Sequence, residues 1–88
     1  MPIPTIGRIV IVRGIASNGA YEQPAVITRA WGTQDTAAGA IAVNLTVLLD
    51  NAPPQYRSSV MLFETEADAR EFCGGKNNAV AAYWPVLA

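Results

Sequence analysis

The sequence predicts a mainly β domain with a minor helical part. The expected form is a small, bent antiparallel sheet or a partly open barrel of the SH3-like or OB-like kind, with one short helix before the last strand. Three observations carry this expectation. β-Branched segments recur between turn-forming residues, positions 41 to 49 alternate with a period of two, and the stretch after Phe63 carries a helix-start signature.

Gly7 to Ile15 reads GRIVIVRGI, which suits a strand better than a helix because branched side chains restrict χ1. Ser17-Asn18-Gly19 follows, and Asn-Gly tolerates the positive φ that a tight hairpin connection needs. Pro24 opens PAVITRAW, in which simple alternation places Ala25, Ile27, Arg29 and Trp31 on one face and Val26, Thr28 and Ala30 on the other. The hairpin therefore spans residues 8 to 31. Gly32 to Gly39 is small and polar and reads as a loop, with no second core beyond it.

Ile41 to Leu49 forms the third strand, with Ile41, Val43, Leu45, Val47 and Leu49 toward the core and Ala42, Asn44, Thr46 and Leu48 on the mixed face. Asp50-Asn51-Ala52-Pro53-Pro54 breaks it, because prolines donate no ladder hydrogen bond, and Arg57 to Phe63 forms the fourth strand. Tyr21 and Tyr56 fall in the predicted loops. Thr65 can cap the amide of Asp68, and Gly74-Gly75 can end the helix in left-handed geometry, leaving Ala69, Phe72 and Cys73 as its buried stripe. Val80 to Trp84 is read as the closing strand.

Residues 1–88 make one small domain. Fully 51% of its residues are hydrophobic and only 15% charged, against about 25% charged in a typical soluble domain. A chain this short has too much surface for its volume, so part of that apolar surplus is expected in a homo-oligomer interface or a ligand groove. Six basic and seven acidic residues leave a net charge of −1, which argues against duplex nucleic acid, since such binding depends on releasing many counterions. A ligand carrying one or two phosphates remains compatible. The single Cys73 permits no intramolecular disulfide, and the simplest setting is a reducing cytoplasm. No export signal is legible in Met1-Pro2-Ile3-Pro4-Thr5, and the longest apolar run, Ala40 to Leu49, is far short of the ~20 residues of a membrane helix.

The catalytic inventory is poor. Histidine, the commonest acid–base group near neutral pH, is absent, so no enzyme and no cofactor is expected. Glu64, Glu66, Asp68 and Glu71 read as solvated residues around a helix start rather than as a carboxylate or metal site. Cys73 reads as buried packing, and Gly74-Gly75-Lys76 lacks the spacing of a phosphate loop.

The candidate ligand contacts are Arg29, Trp31, Asn44, Tyr83 and Trp84. Arg29 and Trp31 stand two residues apart on one strand, about 7 Å, where a guanidinium fork and an indole can hold a phosphate and stack a base. The competing reading makes both tryptophans core residues, with Arg29 extended over an edge. Asn44 is either a ligand contact or a residue satisfied by a neighbouring loop.

Five segments in order, Gly7-Arg8-Ile9-Val10, Pro24 to Trp31, Val43 to Val47, Ser59-Val60 and Trp84-Pro85, resemble a family of small phage and prophage proteins. The chain departs from that pattern in its acidic helix from Thr65 to Cys73, and in having Ala82 and Tyr83 where the relatives carry Trp and His. The resemblance implies a virus-encoded accessory protein without an enzyme activity. By analogy of class it suggests an anti-defence sponge, an oligomer that sequesters a nucleotide-derived immune signal. The reading from another class is a structural or protein-interaction module, such as a virion accessory or an adaptor.

Overall fold

In a computed structural model, which describes residues 4–17, 19–31, 41–50, 52–75 and 79–85, five strands close into a barrel. They are β1 (Ile9–Ser17), β2 (Ala20–Ala30), β3 (Ile41–Val47), β4 (Gln55–Phe63) and β5 (Ala81–Tyr83), with a helix α1 (Glu66–Phe72) between the last two. Neighbours in the barrel are neighbours in sequence, so the chain meanders and the Greek-key order of the OB-like alternative does not describe it. The barrel is closed rather than partly open, because β5 pairs with both β1 and β4, antiparallel with the first. The β4·β5 pair is parallel, not antiparallel as expected, since a helical crossover returns the chain in its original direction.

Inside the barrel the expected alternation of β3 holds. Ile41, Val43, Leu45 and Val47 are buried with Val10, Val12, Ala25, Ile27, Val60, Leu62 and Trp84. A second apolar cluster lies outside the barrel wall, where α1 covers Phe63, Ala81 and Tyr83 with Ala69 and Cys73. The two clusters meet at the end of β4: adjacent side chains point to opposite faces of a strand, so Leu62 packs inward and Phe63 packs under the helix.

The predicted helix signals are present. The Thr65 hydroxyl accepts from the Asp68 amide at 3.2 Å, and the chain leaves α1 through bonds from the Gly75 amide to the Arg70 carbonyl and from the Gly74 amide to the Glu71 carbonyl. One member of the expected buried stripe departs from it. Phe72 is 52% exposed, with its ring beside that of Phe63 at 5.0 Å between centroids.

Five short strands close only if they coil strongly, and register shifts supply that coiling. One falls in β1 between Arg13 and Ser17, one in β2 between Ile27 and Arg29, and one in β4 opposite the step from Val43 to Leu45. At the first, Gly14 adopts φ +97° and lies against the segment leading into β5. The other two create the surface described next. The loop at Gly32 to Gly39, Asn18 of the hairpin turn, Lys76 of the Gly-Gly-Lys run and the last three residues of the tail lie outside the described residues.

Candidate ligand-binding surface

The β2 shift sets the direction of Arg29 and Trp31. Ile27 pairs with Leu45 and Arg29 with Asn44, so Thr28 is an extra residue and the inside–outside alternation slips by one. Ala25 and Ile27 stay in the core, while Arg29 and Trp31 turn outward together. The expectation that all four share a face is thus corrected, and the reading of Trp31 as a core residue falls with it: its ring is 52% exposed.

On that outer surface the two side chains stack, with the Arg29 guanidinium 4.3 Å from the Trp31 ring centroid. The indole edge is fixed as well. Trp31 Nε1 donates to Asn44 Oδ1 at 2.7 Å, and the Trp31 amide donates to the Ala42 carbonyl at 2.9 Å. Asn44 Oδ1 accepts a second hydrogen bond, 3.0 Å from the amide of Ser59. Asn44 therefore joins the two shifts that flank it, Thr28–Arg29 on one side and Ser58–Ser59 on the other. Ser59 sits at φ +54°, a left-handed conformation unfavourable for a residue with a Cβ, and the bond its amide donates to Asn44 helps to hold it there.

Beyond Asn44 the surface continues as an open groove of about 280 Å³ lined by Thr28, Asn44, Thr46, Tyr56, Arg57 and Ser58. Tyr56, expected in a loop, belongs to β4 opposite Thr46 and is 80% exposed; Tyr21 likewise lies in β2. Arg57 donates from Nε to Gln55 Oε1 at 3.0 Å, which braces its side chain. No carboxylate lines the groove among the described residues, and neither Arg29 nor Arg57 makes an ion pair there. Arg57, Ser58 and Ser59 had no place in the sequence reading. The signal available was the polar run Arg57-Ser58-Ser59 at the start of a strand that is otherwise apolar.

Tyr83 and Trp84 do not join this surface. Trp84 is 8% exposed within the barrel core, its Nε1 has no hydrogen-bond partner among the described residues, and Arg8 lies over its ring at 5.4 Å. Tyr83 is buried under α1 and its hydroxyl donates to Glu22 Oε2 at 2.8 Å. The Glu22 carboxylate also faces Arg70, at 3.9 Å, and Arg70 pairs more closely with Glu66, at 2.7 Å. These groups form a cluster that joins α1 to β2. The remaining acidic residues of the quartet are exposed, and no group of potential metal ligands is found among the described residues. Cys73 is buried with its Sγ 3.4 Å from the Ala79 carbonyl, as expected for a packing residue.

Burial, and then the bond to Glu22, hold the Tyr83 phenol well above its ordinary range. A raised folded pKa means that the folded state keeps a proton the unfolded state has released, so stability is complete below the unfolded value of about 10 and declines as pH rises beyond it. Urea midpoints measured at about pH 9 and about pH 11 should fall more for the native chain than for Tyr83→Phe. Equal falls would show that this phenol does not carry the alkaline sensitivity.

Together the fold and this surface define a small closed β-barrel protein bearing an exposed Arg–Trp–Asn cluster beside a groove free of acidic residues among those described. No protein-family model, curated protein or solved structure matches the chain. No helix among the described residues is long and apolar enough to cross a membrane.

Proposed function

We propose that the protein is a non-enzymatic binding protein for a small nucleotide-like ligand, acting as a homo-oligomer. In this reading it is a phage-encoded anti-defence sponge that holds a nucleotide-derived immune signal in the host cytoplasm. The observation that carries the proposal is the outward-facing stack of Arg29 on Trp31, held at its edge by Asn44. An indole so fixed offers a π-face to a base, and a guanidinium without a carboxylate partner among the described residues offers its fork to a phosphate. Sequestration needs a site that binds and does not turn over, which suits a chain without histidine.

Exposed Ile6, Ile9 and Leu48 give the oligomer its support, since apolar side chains of this size gain from being covered by a second copy. The same residues favour the second reading, a structural or protein-interaction module whose apolar surface meets another protein. The two are separated by incubating the purified protein with immune nucleotides, filtering, denaturing with heat and examining the released material by mass spectrometry. Intact nucleotide is the expected result. Altered product would indicate an enzyme, and no retention would leave the interaction module as the better reading. Light scattering tests the oligomer separately, and a strictly monomeric state would remove it.

A further inference from the structure

We infer that the surface accepts two nucleobases joined through a phosphodiester, one on Trp31 and one on Tyr56. This inference rests on the nucleotide-binding reading and names the ligand class more closely. The two aromatic side chains lie on opposite sides of β3. Trp31 bonds to the backbone of Ala42, and Tyr56 pairs with Thr46. Four residues along a strand and two strand spacings across it place their backbones roughly 16 Å apart, from ~3.3 Å per residue and ~4.8 Å per strand. A single base does not reach both rings. Two bases on either side of a phosphate linkage have that reach, since Trp31 is tied toward the gap by its bond to Asn44 and Tyr56 lines the groove beside it.

Between the rings lies the floor that such a linkage needs. Thr28, Asn44, Thr46 and Ser58 supply short polar side chains, and Arg29 and Arg57 flank β3 from opposite sides, one register position apart. No acidic group among the groove-lining residues opposes an anion there. The floor is also built firmly at its midpoint, since Asn44 Oδ1 is engaged by both Trp31 and Ser59. Its Nδ2, which makes no hydrogen bond among the described residues, remains a donor for a phosphate or sugar oxygen. Tyr56 is 80% exposed, so a large ring is held on an outer barrel face with little packing to explain it.

The test is quenching of tryptophan fluorescence by adenosine monophosphate, by the dinucleotide adenylyl-adenosine and by adenylate strands of three to six units. These are followed in the native chain and in Tyr56→Ala, which removes an exposed ring and leaves the core intact. The dinucleotide should bind the native chain about tenfold more tightly than the mononucleotide, within the range that stacking one further base contributes. In Tyr56→Ala that advantage should disappear, the dinucleotide falling to the affinity of the mononucleotide. Equal affinity for the two ligands in the native chain, or an advantage that survives Tyr56→Ala, would overturn the two-base site and leave the single-nucleotide reading standing. Affinity that keeps climbing with each unit beyond the second would replace it with a strand-binding surface. Absence of binding by every member of the series would remove the nucleotide reading together with this one.

Discussion

Gly14→Ala should lower the stability of the protein by about 3 kcal/mol or more, seen in circular dichroism as a thermal midpoint at least ~12 °C below that of the native chain. Two effects act at once. Gly14 is at φ +97°, a conformation costly for any residue with a Cβ. A Cβ there would also overlap the Ala79 carbonyl and lie 2.9 Å from the Cα of Val80. Those atoms are backbone and cannot rotate away. They belong to the segment that delivers β5 against β1, so relief of the overlap would separate the strands that close the barrel. A small domain has ~5–15 kcal/mol to lose in total, and the substitution takes a large part of it. A shift of only a few degrees would show that the segment does not cross β1 at this glycine.

The two tryptophans should separate cleanly when each is replaced by alanine. Trp84→Ala removes a ring that is 92% hidden in the barrel core, by its 8% exposure, and should cost about 3–5 kcal/mol in urea denaturation. Trp84→Phe should recover most of that loss, because the phenyl ring fills much of the space and deletes an N–H that finds no partner among the described residues. Trp31→Ala should cost about 1 kcal/mol, since it removes a half-exposed ring, one cation–π contact and one of the two bonds to Asn44. Its effect should fall on function: nucleotide retention in the filtration assay should be lost while the fold persists. Unfolding of Trp31→Ala with survival of Trp84→Ala would reverse both assignments.

That contrast marks how much was legible in the sequence. Both residues are tryptophans in apolar surroundings, and composition treats them alike. Strand existence was legible from β-branched runs, and the core face of β3 from its clean alternation, because a half-buried strand has no other way to hide its apolar side chains. The helix was legible at both ends, since Thr65 and Gly74-Gly75 act locally on the backbone groups beside them. Less visible was the extra residue at Thr28. Alternation applied without it sends Arg29 and Trp31 inward, and the only hint was the adjacent polar pair Thr28-Arg29 in an apolar strand.

The candidate site was half legible for a related reason. Arg29, Trp31 and Asn44 were identified by residue type, and they do meet, although Asn44 is fifteen positions from Arg29 and pairs with it only across the sheet. Tyr56 was missed as a groove residue because Pro53-Pro54 predicted a strand start at Arg57, while pairing with β3 extends β4 back to Gln55; Arg57 was placed on the strand but not in the groove. The tail was misdirected by its aromatics. Tyr83 ends β5 and Trp84 follows it directly, so their side chains diverge, one under the helix and the other into the barrel, away from the outer surface.

By itself, then, the sequence determined a mainly β fold with a capped helix, a regular core strand and no histidine for acid–base catalysis. Those properties follow from local propensity, from period-two patterning and from residue counts, none of which requires knowing which segments meet. Closure of the barrel, the parallel pairing of β4 with β5 and the outward turn of Arg29 and Trp31 were decided only by tertiary structure. Each depends on register between distant strands, and a shift of one residue exchanges core for surface without changing a single letter of the chain.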